Sequence, residues 1–340
     1  MHLAVQVGRA RWSDLSGLRA HVSHLPSGNS DSGGPAEHHL IAILKDLLPF
    51  IGYDQRVFIA RSGGRPVGFI IFTVVGPDQR WVVSDISANL GVYAADPVLE
   101  ELLHHGVVAA GLEGIKRLYS RVPTSSPILA SIRRCGFAPY TTESILGAPM
   151  MPVPTGPTRG RRQLSNDVWS IHQLYLASVP RQVQYAEALT SHHWDIERQG
   201  WSGTTHNGWL VEDGYQAVGY VTVASNHRAH TVEFMMHPDH RKRFPDLIGT
   251  VAKDLQGRLA RPAYVIVRNY QHEFLTYLYE IGFTVQLEQE LHVKYTTAPV
   301  RSPANVSVAF ASELKEPVGK RVPTFLVDNP SDPSSEVSQP

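Results

Sequence analysis

The chain repeats itself. Arg56-Val57-Phe58-Ile59-Ala60-Arg61, followed by Val67-Gly68-Phe69, returns 151 residues later as Asn207-Gly208-Trp209-Leu210-Val211-Glu212 and Val218-Gly219-Tyr220. Further on, Leu118–Val122 and Ile128–Phe137 return as Tyr264–Arg268 and Phe274–Phe283 at a spacing of 146, and both blocks close on Gly-Phe. Two short apolar runs resemble one another by chance easily enough. Strand, helix and Gly-Phe in one order at near-constant spacing mark two copies of one structural unit.

Each copy reads as the same succession of α and β elements. Helical periodicity comes first, over Asp14–His24 and His38–Phe50 in copy one, and over Asn166–Ala177 with a segment near Val183–Ser191 in copy two. Three apolar runs separated by turn residues follow, in copy two Trp209–Glu212, Ala217–Ala224 and Thr231–Met236. A helix comes next, Pro97–Gly111 or Pro245–Leu259, with Asp96 as the expected N-cap and Pro97 at the first helical position. A strand, a second helix and a final strand complete the unit. Val285, Leu287, Leu291 and Val293 alternate with polar residues, which predicts a half-buried last strand.

Pro149, Pro152, Pro154 and Pro157, with Gly156 and Gly160, predict an extended connector between the copies. The expected divisions are therefore 1–148, a linker at 149–163, 164–297, and a Pro/Ser-rich tail at 298–340 without periodicity, expected to be largely disordered. The loop Ser27–Pro35 is expected to be mobile.

Composition excludes several classes of function. A hydrophobic fraction of 42% over 340 residues suffices for two cores, and a net charge of zero argues against a general nucleic-acid or membrane surface. No basic n-region with an apolar stretch opens the chain, so a soluble, cytoplasmic protein is the expectation. A single cysteine, Cys135, rules out an internal disulfide and reads as a buried apolar thiol. Histidine is frequent, at 17, but no third or fourth ligand accompanies His237 and His240, so no metal site is expected.

In copy two, Thr231–Met236 leads into His237-Pro238-Asp239-His240-Arg241-Lys242-Arg243-Phe244-Pro245-Asp246. This resembles the signature of the GNAT (Gcn5-related N-acetyltransferase) acyltransferases, where a strand ends in Val-x-Pro-Glu-x-Arg and Arg/Gln-x-x-Gly-x-Gly/Ala opens a helix. Asn269 and Tyr279-Glu280-Ile281-Gly282-Phe283 resemble the family's second motif, and Asp14-Leu15 with Gly17-Leu18-Arg19 its opening helix. Residues 1–146 and 164–296 are covered. The resemblance implies an α/β (α+β) fold of two tandem GNAT-like domains, each a mixed, mostly antiparallel central sheet flanked by helices.

It also implies acetyl-CoA, or another acyl-CoA, as co-substrate. Met236, Arg241, Lys242, Arg243 and Asn269 would lie at that ligand, whose pyrophosphate needs backbone N–H groups at a helix N-terminus. Glu233 is the implied base, with Asp85 its counterpart in copy one, and Tyr277 or Tyr279 the implied acid. The sequence departs from the pattern where Phe244 and Asp246 replace the two small residues of the loop. Copy one has Tyr93-Ala94-Ala95-Asp96 there, without a cation, so no coenzyme A is expected in it. Two functions stay open: N-acyl transfer through copy two to a small-molecule or peptide amine, or a silent GNAT-like scaffold or binding protein that has lost coenzyme A. Anion binding at Arg241–Arg243 without transfer is a third, and a homo-oligomer or protein partner is left open.

Overall fold

A computed structural model of the chain describes residues 5–14, 55–75, 80–88, 95–153, 158–196, 204–258 and 260–296. The expected helices Asp14–His24 and His38–Phe50, the loop Ser27–Pro35, residues 154–157 of the connector and the tail lie outside the described residues. The first repeat supplies β1 (Val5–Arg9), β2 (Gln55–Ser62), β3 (Arg65–Val75), β4 (Arg80–Ala88), α1 (Ala95–Leu112), β5 (Arg117–Pro123), α2 (Leu129–Arg134) and β6 (Ala138–Ala148). The second supplies β7 (Arg161–Arg162), α3 (Val168–Ser178), α4 (Arg181–Glu187), β8 (Thr205–Asp213), β9 (Gln216–Ser225), β10 (His230–Met236), α5 (Phe244–Gln256), β11 (Ala263–Arg268), α6 (Leu275–Glu280) and β12 (Thr284–Tyr295). Helix α1 begins at Ala95, so Asp96 sits in its first turn rather than at its cap, and its carboxylate accepts from Arg134 Nη2 at 2.8 Å.

The strands form one sheet in the order β1-β2-β3-β4-β5-β12-β6-β11-β10-β9-β8-β7. Among the described strands only β4–β5 and β10–β11 are parallel pairs. Each is joined by a crossover helix, α1 or α5, as a parallel connection requires. The order exposes an exchange. β6 ends the first repeat yet pairs with β11 of the second, while β12 ends the second repeat and pairs with β5 of the first. The two exchanged strands then pair with each other. Each repeat's sheet is thus completed by the other's last strand.

Local irregularities follow the repeat closely. In β2–β3 the register slips between Ala60 and Arg61, leaving Val67 as the extra residue. In β8–β9 it slips between Val211 and Glu212, leaving Val218. Both bulges fall on the repeated Val-Gly-aromatic motif. The Gly-Phe motif has an equally local cause: Gly136 and Gly282 adopt φ of +78° and +103°, which end α2 and α6. The next N–H, of Phe137 or Phe283, turns back to Ile132 O or Leu278 O, and both rings are buried.

Helix burial follows the apolar periodicity. On α5, Phe244, Leu247, Ile248, Val251, Ala252 and Leu255 face the sheet with Val232, Phe234, Val265 and Val267. On α1, Val98, Leu99, Leu102 and Leu103 pack on Phe58, Ile70, Phe72 and Trp81. The other face of the second repeat is covered by α3, whose Ile171, Leu174 and Tyr175 meet Leu210, Tyr220 and Met235. β12 departs from the expected alternation: Val285 is exposed whereas Gln289 and His292 are buried. Register shifts at Val285/Leu287 and Leu291/His292 change its phase, and its central position buries both faces of 289–293. Among the described residues, no helix is long and apolar enough to cross a membrane.

A candidate ligand site where parallel strands part

In both repeats the parallel strands stay paired only briefly. β4 and β5 are in register from Trp81/Leu118 to Val83/Ser120, and β10 and β11 from His230/Ala263 to Glu233/Ile266, before they separate. Asp85 and Glu233 stand opposite the repeat-equivalent residues Ile71 and Thr222, so the register makes them counterparts. The strands differ in one respect. β4 carries an extra residue, Ser84, at its point of divergence, whereas β9–β10 runs without a slip.

Alternation on β10 decides which groups meet the gap. Val232, Phe234 and Met236 point into the α5 core, while Glu233 and Met235 point to the α3 face. On that face lies a cavity of about 130 Å³. Glu233, Arg268, Tyr270, Tyr175, Tyr220 and Trp194 line it, and the first repeat adds Arg80 and Arg121. The aromatic walls are tied at their polar ends: Tyr175 Oη donates to Glu187 Oε2 at 3.2 Å, and Tyr220 Oη to Gln163 Oε1 at 2.8 Å. Burial raises the pKa of Tyr175, Tyr220 and Tyr270, so all three stay protonated.

A buried ionic network backs the cavity at the strand exchange. Glu143 on β6 lies 2.9 Å from Arg268 Nε on β11 and 3.7 Å from Arg121 Nε on β5, and accepts from Gln289 Nε2 on β12 at 2.5 Å. Arg268 also reaches Glu187 at 3.3 Å. Burial opposes ionisation of Glu143, but Arg121 and Arg268 outweigh it and hold its pKa below the usual carboxylate range. Burial likewise opposes the charge on Arg268, and Glu143 and Glu187 outweigh it.

The side where an acyl-CoA would enter is closed by side chains. Gln271, 6% exposed, donates from Nε2 to Phe234 O at 2.7 Å and accepts from Arg268 N–H at 3.0 Å, bridging the gap between β10 and β11. Behind it Phe244 packs on Phe234 and Phe274, with ring centroids 4.7 and 4.4 Å away. Phe244 occupies the place of a loop glycine and is 1% exposed. The loop Pro238–Arg243 winds as a 3-10 helix and uses its own donors: His240 N–H bonds His237 O, and Phe244 N–H bonds Arg241 O. These N–H groups are therefore taken up within the loop and are not offered to an anion.

The basic run is largely neutralised. Arg241 pairs with Glu273 at 2.6 Å, while Arg243 lies 3.5 Å from Asp246 and donates to Glu212 O at 2.7 Å. Lys242 alone of the three has no partner among the described residues. Asn269 Oδ1 accepts from Thr141 Oγ1 at 2.8 Å. Tyr277 packs against Phe244 on the α5 side at 5.6 Å, and burial raises its pKa. Tyr279 is exposed on α6. Neither tyrosine lines the cavity that Glu233 faces. The residues of the second repeat do not fit a bound coenzyme A.

No protein-family model matches the sequence, and no curated protein matches it. Solved structures do match in shape. A tandem GNAT protein from the clavulanic acid biosynthesis pathway superposes with a TM-score of 0.52 at 13% identity, covering 86% of this chain and 99% of its own. A GCN5-related N-acetyltransferase from Sphaerobacter thermophilus gives 0.50 at 14%, covering 86% and 96%. The chain has the tandem GNAT fold. Identity at this level establishes the fold alone.

Within that GNAT fold, sequence reasoning reached Glu233 but missed Arg80, Arg121, Tyr175, Trp194, Arg268 and Tyr270. Repeat signals mark what the two copies share, and where Arg121 and Arg268 fall inside a repeated block their counterparts are the apolar Val267 and Val122. Cys135 is half-buried, near Glu100 O at 3.8 Å, and burial pushes its thiol pKa up to about 11.

Two histidines away from the cavity lining set a pH dependence. Burial, with the Arg80 charge adding to it, lowers the pKa of His193 to about 3, and burial lowers that of His292. Their folded values lie below the unfolded value of about 6.5, so the unfolded chain binds more protons in between. Stability is present above about pH 6.5 and is lost as pH falls toward the folded value, by up to roughly 1.4 kcal/mol per pH unit for His193, with His292 acting in the same direction. Thermal melts at constant ionic strength are expected to show the melting temperature falling from about pH 6.5 to about pH 5. A flat or rising profile would contradict this reading of His193 and His292.

Proposed function

We propose that this chain is a GNAT-fold binding protein in which the second repeat no longer takes acyl-coenzyme A and keeps the α3-side cavity for a small ligand. The observation that carries it is the Gln271 amide set across the β10–β11 gap on Phe234 O. Pantetheine insertion would have to break that bond and displace the buried Phe244. At about 130 Å³ the cavity also lies below the ~300 Å³ at which pockets for drug-sized molecules begin. In the first repeat, Asp96 stands in the first turn of α1, where its carboxylate opposes an anion.

Acetyl-CoA titrated to millimolar concentration is expected to leave the melting temperature unchanged. A site with a Kd one hundredfold below the ligand concentration would add about 2.7 kcal/mol, a shift of several degrees. Such a shift would sink the proposal. One observation favours acyl transfer as the second reading: Glu233 faces the cavity where the strands part, the place of a general base.

A further inference from the structure

The charges around the cavity separate into two groups. Arg121, Arg268, Glu143 and Glu187 neutralise one another in the buried network. Two lining charges make no ion pair within it, although the Glu233 charge acts on Arg121 through space and Arg80 interacts with Tyr119. Glu233 has no ion-pair or hydrogen-bond partner among the described residues. Arg80 has no carboxylate partner among them; it lies over the Tyr119 ring at 5.5 Å from the centroid. One is a carboxylate from the second repeat and the other a guanidinium from the first, and both line one cavity. A carboxylate and a guanidinium without a contacting counter-charge can each take one from a ligand through a charge-assisted hydrogen bond.

We infer that this cavity binds a small zwitterionic amino acid across the two repeats, its ammonium on Glu233 and its carboxylate on Arg80. A cation alone would leave Arg80 without a counter-charge, and an anion alone would leave Glu233. A neutral zwitterion serves both and keeps the site electrically balanced. Tyr175, Tyr220 and Trp194 also line the cavity, and aromatic rings beside an ammonium group favour it. The cavity volume restricts the ligand to a compact one. Arg80 thereby becomes a specificity residue contributed by the repeat that does not hold the cavity floor.

The inference rests on the proposed reading of the cavity as a ligand site. Its test uses the intact chain and calorimetric titration with glycine, L-alanine and γ-aminobutyrate, against ethylamine and acetate as single-charge fragments. At least one amino acid is expected to bind, with both fragments weaker by about tenfold or more. Chain-length preference reports the span between Arg80 and Glu233. Glu233→Gln and Arg80→Gln are each expected to weaken the preferred amino acid by about tenfold. No heat with any of the three amino acids at tens of millimolar, or ethylamine binding as well as they do, would overturn the inference. The coenzyme A titration is independent: a shift there overturns the loss of coenzyme A and leaves the amino-acid result standing.

Discussion

Truncating the chain before Thr284 is expected to unfold the first repeat, although every residue of that repeat remains. β12 lies between β5 and β6, with partners from Arg117↔Tyr295 to Pro123↔Gln289 on one side and Ala138↔Val293 to Gly147↔Thr284 on the other. Its removal strips the hydrogen-bonding edge from β5 and separates β6 from its neighbour. It also uncovers Tyr119, which packs on Val293. Hydrogen exchange on peptides from β2 to β5 is the measurement: protection in the first repeat should fall to that of an unfolded chain. Two domains folding independently would leave that protection intact, and such a result would contradict the exchanged topology.

The second large effect is expected at Glu143. Its side chain has no exposure, and it meets Arg121, Arg268 and Gln289 from three different strands. Glu143→Ala leaves two guanidinium groups buried without their shared carboxylate, a loss of roughly 3–5 kcal/mol. For a domain of this size that corresponds to a fall in melting temperature of roughly 10 °C. Removing Arg268 as well, in Glu143→Leu/Arg268→Leu, should cost less than the sum of the single changes by more than about 1 kcal/mol, because the second change removes the orphaned charge. Additive costs in that cycle would mean that Glu143 and Arg268 do not support each other.

Both expectations rest on an arrangement that the sequence announces only in part. The repeat spacing of 151 residues between Val67 and Val218 locates a bulge in each copy, and Gly136 and Gly282 end equivalent helices. Those features depend on backbone conformation, which local residues dictate. The exchange of β6 and β12 does not. Alternation on a strand tells which face is buried, not which strand lies beside it, and two copies of one strand satisfy either pairing. The expected boundaries at 148 and 164 follow the chain, whereas the sheet crosses them.

The site divides in the same manner. Glu233 is legible through the family resemblance, which places a carboxylate on this strand, and the register makes Asp85 on β4 its counterpart. The tyrosines taken from the motif spacing, Tyr277 and Tyr279, lie on α6, one against Phe244 and the other exposed. Tyr175, Tyr220 and Tyr270 reach the cavity instead, from α3, β9 and the turn after β11. A cavity assembled from distant segments leaves no local spacing to read. Phe244 signalled the closed donor side in advance, and Gln271 did not, because a lone glutamine after a strand carries no pattern of its own.

The strand exchange also has a consequence for synthesis. β5 ends at Pro123 and its partner β12 begins at Thr284, 161 residues later. At ~5–20 residues per second, a ribosome needs roughly 8–30 s to cover that distance. Throughout that interval the nascent first repeat carries an open edge on β5, a template for pairing with other chains. Its folding waits for the last strand to emerge, so codon usage and chaperone supply over residues 124–283 bear on the yield of a repeat already fully translated.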